Sequence, residues 1–177
     1  KHTVKICEAI ISSGIKFNIC IETHLKNIDD ELAKILKKAG IKLIYVGIES
    51  AVEEVRKDAK RTSDTNENQI EKVKYLEKNG IRVKSMYIIG MPADTEDTFK
   101  KTVDYAKKIN SSYAQFSVFT PYPGTPVFNE YKDKITKNKY EDFTQWQLVF
   151  RHQNLTEKNV LYLLNYSYKE YYSNHKW

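Results

Sequence analysis

The stretch Ile81–Thr98, IRVKSMYIIGMPADTEDT, contains the signals of a strand, a turn and the start of a helix. Its first half, Val83–Ile89, is rich in β-branched and aromatic residues, which favour an extended strand. The turn signal Gly90-Met91-Pro92 ends this pattern, and the short polar and acidic residues of Asp94–Asp97 are typical of a helix start. The near-continuous apolar character of the strand predicts a parallel sheet that is covered on both sides.

The same arrangement recurs along the chain. Three predicted helices end at a Gly-Ile pair followed by a basic residue, and a strand follows each of the pairs Gly14-Ile15, Gly40-Ile41 and Gly80-Ile81. Glycine is favoured just past a helix C-terminus because it adopts the left-handed conformation at low cost. A fourth apolar run, Ala114–Phe119, ends in the Pro- and Gly-rich stretch Thr120–Pro126. The sequence therefore predicts four parallel strands near residues 16–22, 42–49, 83–90 and 114–120, in sequential order, with helices on one face.

Apolar residues at helical spacing predict the helices that separate and follow these strands. The predicted ranges are Val4–Ser12, a helix from Asp29 or Asp30 to about Lys38, Ser50–Lys60, about Glu67–Lys78, and a helix with Phe99, Val103, Ala106 and Ile109 on one face. We divide the chain into an α/β part, residues 1–126, and a C-terminal extension, residues 127–177, that packs on it.

The extension has its own composition. Residues 127–138 are charged and predict a short helix at most, and the aromatic-rich segment Tyr140–Phe150 predicts a strand or an irregular arm. A final helix starts at Leu155-Thr156, and its predicted inner side is formed by Leu161, Leu164, Tyr168 and Tyr172.

Composition limits the function classes. The net charge is +6, but the lysines are spread over solvent-facing helix positions, which favours a solvated surface over a nucleic-acid interface. No apolar run approaches the roughly 18 residues of a membrane helix, and no signal peptide is recognisable, so we expect a cytoplasmic protein. Cys7 and Cys20 form neither a C-x-x-C pair nor a disulfide framework, and we expect both to be buried. Because Lys1 lies inside a helical pattern, we also expect this chain to be part of a longer protein.

Ligands bind parallel α/β sheets at the carboxyl ends of the strands. Glu22 and Glu49 end two neighbouring predicted strands, so their carboxylates either bind a ligand or cap the next helices. Arg61 follows the helix predicted after Glu49. Its guanidinium either pairs with a ligand carboxylate or lies in solvent. Met86 and Ile88 lie in the third strand and pack either in the core or on a flat ring. The four histidines lack metal-ligand spacing, so we predict no metal site from them.

These pieces together resemble the radical S-adenosylmethionine superfamily, in the type that follows a cobalamin-binding domain. The anaerobic magnesium-protoporphyrin monomethyl ester cyclase-like proteins are the group they match best. The motifs that carry the resemblance are Asp30-Glu31-Leu32 with Ala39-Gly40-Ile41, VGIES at 46–50, Arg61, IIGMPADTEDT at 88–98 and TPYPGTPVF at 120–128.

The resemblance implies a partial (β/α) TIM-type barrel, of which this chain would form strands three to six and an aromatic-rich extension. It implies an enzyme that reductively cleaves S-adenosylmethionine to a deoxyadenosyl radical, with a [4Fe–4S] cluster in the intact parent protein. Whether the parent protein also binds cobalamin stays open. Carried over by position, the cofactor-binding residues would be Glu22, Glu49, Ser50, Arg61, Met86, Ile88 and Phe119.

The chain departs from the family in one respect: it lacks the C-x-x-x-C-x-x-C loop that ligates the cluster. We therefore expect this segment to be inactive without the N-terminal part of the same chain. Without that part, the edge of the first strand is unpaired, and we expect it to promote association with another copy.

Two other functions stay open at this point. One is a non-radical (β/α) enzyme that binds a small anionic ligand at the same strand ends, although the sequence has no Gly-rich phosphate loop. The other is a basic RNA-binding module that uses the tyrosines of the extension.

Overall fold

The computed structural model describes residues 2–59 and 66–173. Within them the strands are β1 (Ile19–Thr23), β2 (Ile41–Glu49), β3 (Arg82–Ile89) and β4 (Tyr113–Val118). The α-helices are α1 (His2–Ser12), α2 (Asp30–Lys38), α3 (Glu53–Asp58), α4 (Asn66–Lys78), α5 (Glu96–Ile109), α6 (Pro126–Tyr131) and α7 (Glu157–Ser173).

The strands form one four-stranded sheet in the order β1-β2-β3-β4, and every neighbouring pair is parallel. This confirms the predicted α/β architecture of a partial TIM-type barrel. β1 is shorter than predicted: it begins at Ile19 and not near Lys16, because the residues before it lie exposed beside the sheet.

Alternation along the strands gives the sheet two different faces. One face packs under the helices and is almost completely buried, as for Ile44, Val83 and Phe116. The other face, which we call the open face, carries half-buried side chains such as Tyr45, Met86 and Gln115, so within the described residues the sheet is not covered on both sides as its apolar strands predicted. Helices α2, α4, α5 and α7 contact the sheet, and their apolar sides complete the core on the buried face.

The Gly-Ile turns occur as predicted. Gly40 has φ +94°, and a Cβ atom at this position would overlap the carbonyl oxygen of Phe17. Only glycine therefore fits both the left-handed conformation and the close approach of the neighbouring segment.

The start of α5 also follows the sequence prediction. Thr95 caps the helix: its hydroxyl accepts from the Thr98 amide at 3.2 Å, and the Thr98 hydroxyl in turn accepts from the Thr95 amide at 2.9 Å. The predicted inner face, which consists of Phe99, Val103, Ala106 and Ile109, is buried throughout.

The extension closes the outer edge of β4 with tyrosine side chains from α7. The Tyr172 hydroxyl accepts from the Ala114 amide at 2.9 Å and donates to the Ala114 carbonyl at 2.8 Å. The Tyr168 hydroxyl does the same for Phe116, at 3.2 and 3.1 Å. One residue pair further along, the Val118 amide donates to the Gln145 carbonyl at 2.7 Å. Two tyrosines one helical turn apart thus occupy hydrogen-bonding positions that a fifth strand would take.

The structure corrects several details of the sequence prediction. Cys20 is exposed and not buried, because β1 is an edge strand and Cys20 lies on its open face. Leu161 is 54% exposed, so it does not belong to the inner side of α7. The core contacts of that helix come from Val160, Leu163, Leu164 and Tyr171.

The segment Tyr140–Phe150 is an irregular arm, with one 3-10 turn at its start and a single antiparallel bridge from Phe150 to Ile135. Its end, Leu148–Phe150, joins the same hydrophobic core as the sheet. The division of the chain at residue 126 stays a prediction. Across the described residues, no helix combines the length and the hydropathy that crossing a bilayer requires.

Candidate functional site

A cavity of about 310 Å³ lies on the open face, at the carboxyl ends of β2, β3 and β4. Four residues of the predicted site line it: Glu49, Met86, Ile88 and Phe119. Its remaining lining is uncharged and consists of Gly47, Tyr87, Gln115, Ser117, Val118, Thr120, Tyr122, Thr125, Val127 and Gln145. The structure thus brings the third-strand residues, the second-strand carboxylate and the fourth strand together around one space.

Glu49 owes its position to an irregularity at the end of β2. The register with β3 shifts between Gly47 and Glu49, and Glu49 has φ +69°, a conformation that non-glycine residues rarely adopt. Its carboxylate folds back along the strand, so that a Cβ atom at Gly47 would lie 2.9 Å from Glu49 Oε1. Gly47 therefore leaves the space in which the carboxylate sits against the cavity floor. Local strain of this kind is common at ligand sites.

Glu22 does not sit level with Glu49, contrary to the expected matching of the two strand ends. Glu22 is in register with Tyr45, four residues before Glu49 on β2. Four strand residues correspond to about 13 Å. The strands of the sheet are staggered, so two residues that each end a strand in the sequence lie at different heights. Glu22 is exposed on β1 and is absent from the cavity lining.

Ser50 turns away from the open face. It is 1% exposed, and its hydroxyl lies 3.1 Å from that of Thr102 on α5. The buried guanidinium of Arg56, on α3, donates to the Ser50 carbonyl. Ser50 therefore ties the loop after β2 to two helices, and its side chain is not available at the cavity. Arg61 lies outside the described residues.

The loop after β3 contains the buried carboxylate of Asp94. The sequence predicted Asp94 only as part of a helix start. Asp94 is 1% exposed; one carboxylate oxygen accepts from the Met91 amide at 3.1 Å and the other from the Thr98 hydroxyl at 2.8 Å. Burial raises the pKa of Asp94 to about 6, although its hydrogen bonds oppose that rise. The carboxylate fixes the turn that directly follows the cavity floor at Ile88.

His152 fastens the extension to the same loop. Its Nε2 lies 2.9 Å from the Met91 carbonyl, and its Nδ1 accepts from the amides of Asn154 and Leu155 at 3.0 and 3.1 Å. Nδ1 is thus an acceptor and Nε2 the donor, which is the neutral imidazole. Burial lowers the pKa of His152, and Lys134 lowers it further. No sequence signal indicated this contact, because its partners are 61 residues apart.

The described residues include no group of three or more His, Cys, Asp and Glu side chains placed to hold a metal ion. Cys7 is buried on α1, and burial raises the pKa of its thiol. A raised pKa disfavours the thiolate that metal ligation needs. Cys20, on the exposed edge strand, has no second cysteine beside it in the sequence.

Comparison with known proteins gives this architecture a family. The sequence model of the Radical SAM superfamily matches residues 1–106. An uncharacterized methyltransferase of Pyrococcus horikoshii is 27% identical over 97% of this chain and 38% of its own length. The anaerobic magnesium-protoporphyrin IX monomethyl ester cyclase of Cereibacter sphaeroides is 26% identical over 97% of this chain and 29% of its own length. The chain thus spans little more than a third of these relatives at most.

A solved structure shows the same fold. TsrM from Kitasatospora setae, a radical S-adenosylmethionine methyltransferase with cobalamin and a [4Fe–4S] cluster bound, superposes with a TM-score of 0.65. It is 20% identical, and the match covers 75% of this chain and 28% of that one. The match of the superfamily model extends over more than half of the 177 residues, and the parallel strand order agrees with it. The chain therefore belongs to the radical S-adenosylmethionine superfamily.

Proposed function

We propose that this segment forms the S-adenosylmethionine-binding wall of a radical enzyme. The observation that carries the proposal is the cavity at the ends of β2–β4, where Glu49, whose backbone has a positive φ, lines the same space as Met86, Ile88 and Phe119. S-adenosylmethionine combines a flat adenine ring with ribose hydroxyls and an ammonium group. An apolar floor beside a single carboxylate suits that combination.

The cavity residues divide by chemistry. Met86, Ile88 and Phe119 offer apolar and aromatic surface, and we assign them to the adenine ring. Glu49 can accept a charge-assisted hydrogen bond, and we assign it to the ribose hydroxyls or the ammonium group. Glu22 and Arg61 keep their proposed roles toward the same cofactor on the family resemblance alone.

The residues of this chain do not fit the cluster. The sequence has two cysteines and no C-x-x-x-C-x-x-C loop, and Cys7 is buried with a raised pKa. We therefore propose that the cluster ligands lie outside these 177 residues and that the segment alone is inactive. In the intact enzyme, a reduced cluster held by those other residues would supply the electron for the cleavage of S-adenosylmethionine, and the residues above would hold and orient the cofactor. The likeness to the cobalamin-bound structure concerns the fold, so we assign no residue to cobalamin.

The other two functions considered from the sequence lose support. An enzyme that binds a small anion at this cavity would need a cation there, whereas Glu49 is the one charged side chain among its described lining residues. A basic RNA-binding module does not account for a cavity at the strand ends or for the family membership.

The test is the affinity for S-adenosylmethionine in the full-length protein with its cluster reconstituted. Glu49→Gln keeps the size of the side chain and removes its charge. Loss of a charge-assisted hydrogen bond costs about 1.5–3 kcal/mol, so we expect affinity by calorimetry to fall about 10- to 100-fold. The matched control is Glu8→Gln, because Glu8 is exposed on α1 away from the cavity.

The iron content and the cluster spectrum of both variants should match those of the wild type. Wild-type affinity in Glu49→Gln would remove Glu49 from the cofactor site. Stoichiometric iron bound by the 177-residue segment would contradict the proposal that its cluster ligands lie elsewhere.

A further inference from the structure

A second hollow, which we call the aromatic groove, lies on the open face below the strand-end cavity. Its volume is about 510 Å³, and its lining includes Tyr45, Lys84, Tyr113 and Trp146. Gln115 lines both hollows, so the groove continues from the cavity along the strands. None of the four residues named here has a role in the proposed cofactor site.

The groove has a defined charge. Lys84 is the one charged side chain among its described lining residues. Its ammonium group lies 5.1 Å from the centre of the Tyr45 ring, and it has no carboxylate partner within the described part of the chain. Glu22, in register with Tyr45, lies two strands from Lys84, and the two side chains form no ion pair in the described part of the chain. An ammonium group on an aromatic surface, without a counter-ion, favours an anion from a ligand.

The walls of the groove are aromatic, and the extension contributes one of their residues, Trp146. Trp146 is 50% exposed, although the preceding residue is fixed to the sheet by the hydrogen bond between the Gln145 carbonyl and the Val118 amide. Tyr113 is fixed from the other side, because its hydroxyl accepts from Arg82 at 3.0 Å. Exposed aromatic rings on anchored backbone offer flat apolar contact area at little cost in conformational entropy.

We propose that the aromatic groove binds the acidic end of the enzyme's substrate, a small molecule with a flat apolar body and a carboxylate that pairs with Lys84. This inference rests on the proposed function, because it takes the reacting end to lie in the strand-end cavity. Lys84, Met86 and Ile88 alternate along one face of β3, so the distance from the ammonium level to the cavity floor is about 7–13 Å. That distance suits a body of several fused or linked rings.

The test uses a matched pair of probes, 1-pyrenebutyrate and its uncharged methyl ester, titrated into the full-length protein by fluorescence anisotropy. We expect the wild type to bind the acid about 10-fold more tightly than the ester, because the acid alone forms a charge-assisted hydrogen bond. Lys84→Met should abolish this preference and leave the ester affinity unchanged. Lys84→Arg should keep it, and so should the control Lys74→Met, because Lys74 is exposed on α4.

The affinity for S-adenosylmethionine is measured in the same variants and should not change in Lys84→Met. Equal binding of the two probes by the wild type, or a preference that survives in Lys84→Met, would overturn the inference. Loss of cofactor affinity in Lys84→Met would also overturn it, since Lys84 would then belong to the cofactor site. Because Glu49→Gln tests the cofactor site independently, a failure of the proposed function can be told apart from a failure of this inference.

Discussion

The clearest effect of pH belongs to a single residue, His152. Protonation of Nδ1 would remove the hydrogen bonds that it accepts from Asn154 and Leu155. Burial lowers the pKa of His152 below its ordinary value of 6.5. The stability that His152 contributes is therefore fully present above about pH 6.5 and is lost as the pH falls through the lowered pKa.

We predict that His152→Gln lowers the free energy of unfolding by about 1–3 kcal/mol at pH 8, and by less at pH 5. Denaturant unfolding at the two pH values measures the difference from the wild type. His24→Gln is the control, because His24 is exposed in a loop. A loss that is equal at both pH values would show that the imidazole is not held neutral.

Asp94 has the opposite effect on stability. Because its pKa is raised from 3.8 to about 6, the stability that Asp94 contributes is lost as the pH rises through 6.

Sequence patterns locate single residues less well than they locate elements. Met86 and Ile88 could be placed because strand alternation assigns them to one face. The positions of Glu22 and Glu49 along the sheet could not be predicted. They depend on the stagger of the strands and on an irregularity at Gly47 that no residue type indicates. His152 and the loop after β3 meet only in three dimensions, so nothing local in the sequence connects them.

At the scale of elements, the contact between α7 and β4 determines where the sheet ends. An unprotected sheet edge invites the addition of another strand. Here the hydroxyls of Tyr168 and Tyr172 pair with the amides and carbonyls of Phe116 and Ala114. These hydrogen bonds also stabilise β4, which carries the cavity residues Gln115 and Ser117 and leads to Phe119.

We predict that the double variant Tyr168→Phe/Tyr172→Phe speeds amide hydrogen exchange at Ala114 and Phe116 by about 10- to 100-fold, since each amide loses its partner while the rings stay. Exchange resolved by NMR or by mass spectrometry measures this effect. Tyr162→Phe should have none, because Tyr162 is 57% exposed on the same helix. Unchanged protection of both amides would mean that ring packing alone closes the edge.

The elements themselves follow from the sequence wherever a simple period or turn signal exists. Three Gly-Ile turns and the near-continuous apolar run of the third strand predict the parallel order, which the sheet confirms. The extension lacks such signals: α7 is rich in apolar and aromatic residues around its whole circumference, so the buried side could not be chosen and Leu161 was placed wrongly. The irregular arm at 140–150 has no period at all, and its position depends on bonds to β4 and the core.

For the whole molecule, the two edges of the sheet are unlike. Tyrosines of α7 cap the β4 edge, whereas within the described residues no strand pairs with the outer side of β1. Exposed Ile15 and Phe17 lie in the segment that leads into that edge strand. Association at this edge, with another part of the same polypeptide or with a second copy, stays a prediction that light scattering of the isolated segment can check.

The central claim is that the open face at the ends of β2–β4 holds S-adenosylmethionine. A crystal structure of the full-length protein with its cluster and S-adenosylmethionine bound tests this most directly. We predict the adenine ring in van der Waals contact with Met86 or Ile88, and a Glu49 carboxylate oxygen within about 3.2 Å of a ribose hydroxyl or the ammonium group. A cofactor bound without contact to any of these three side chains would contradict the account.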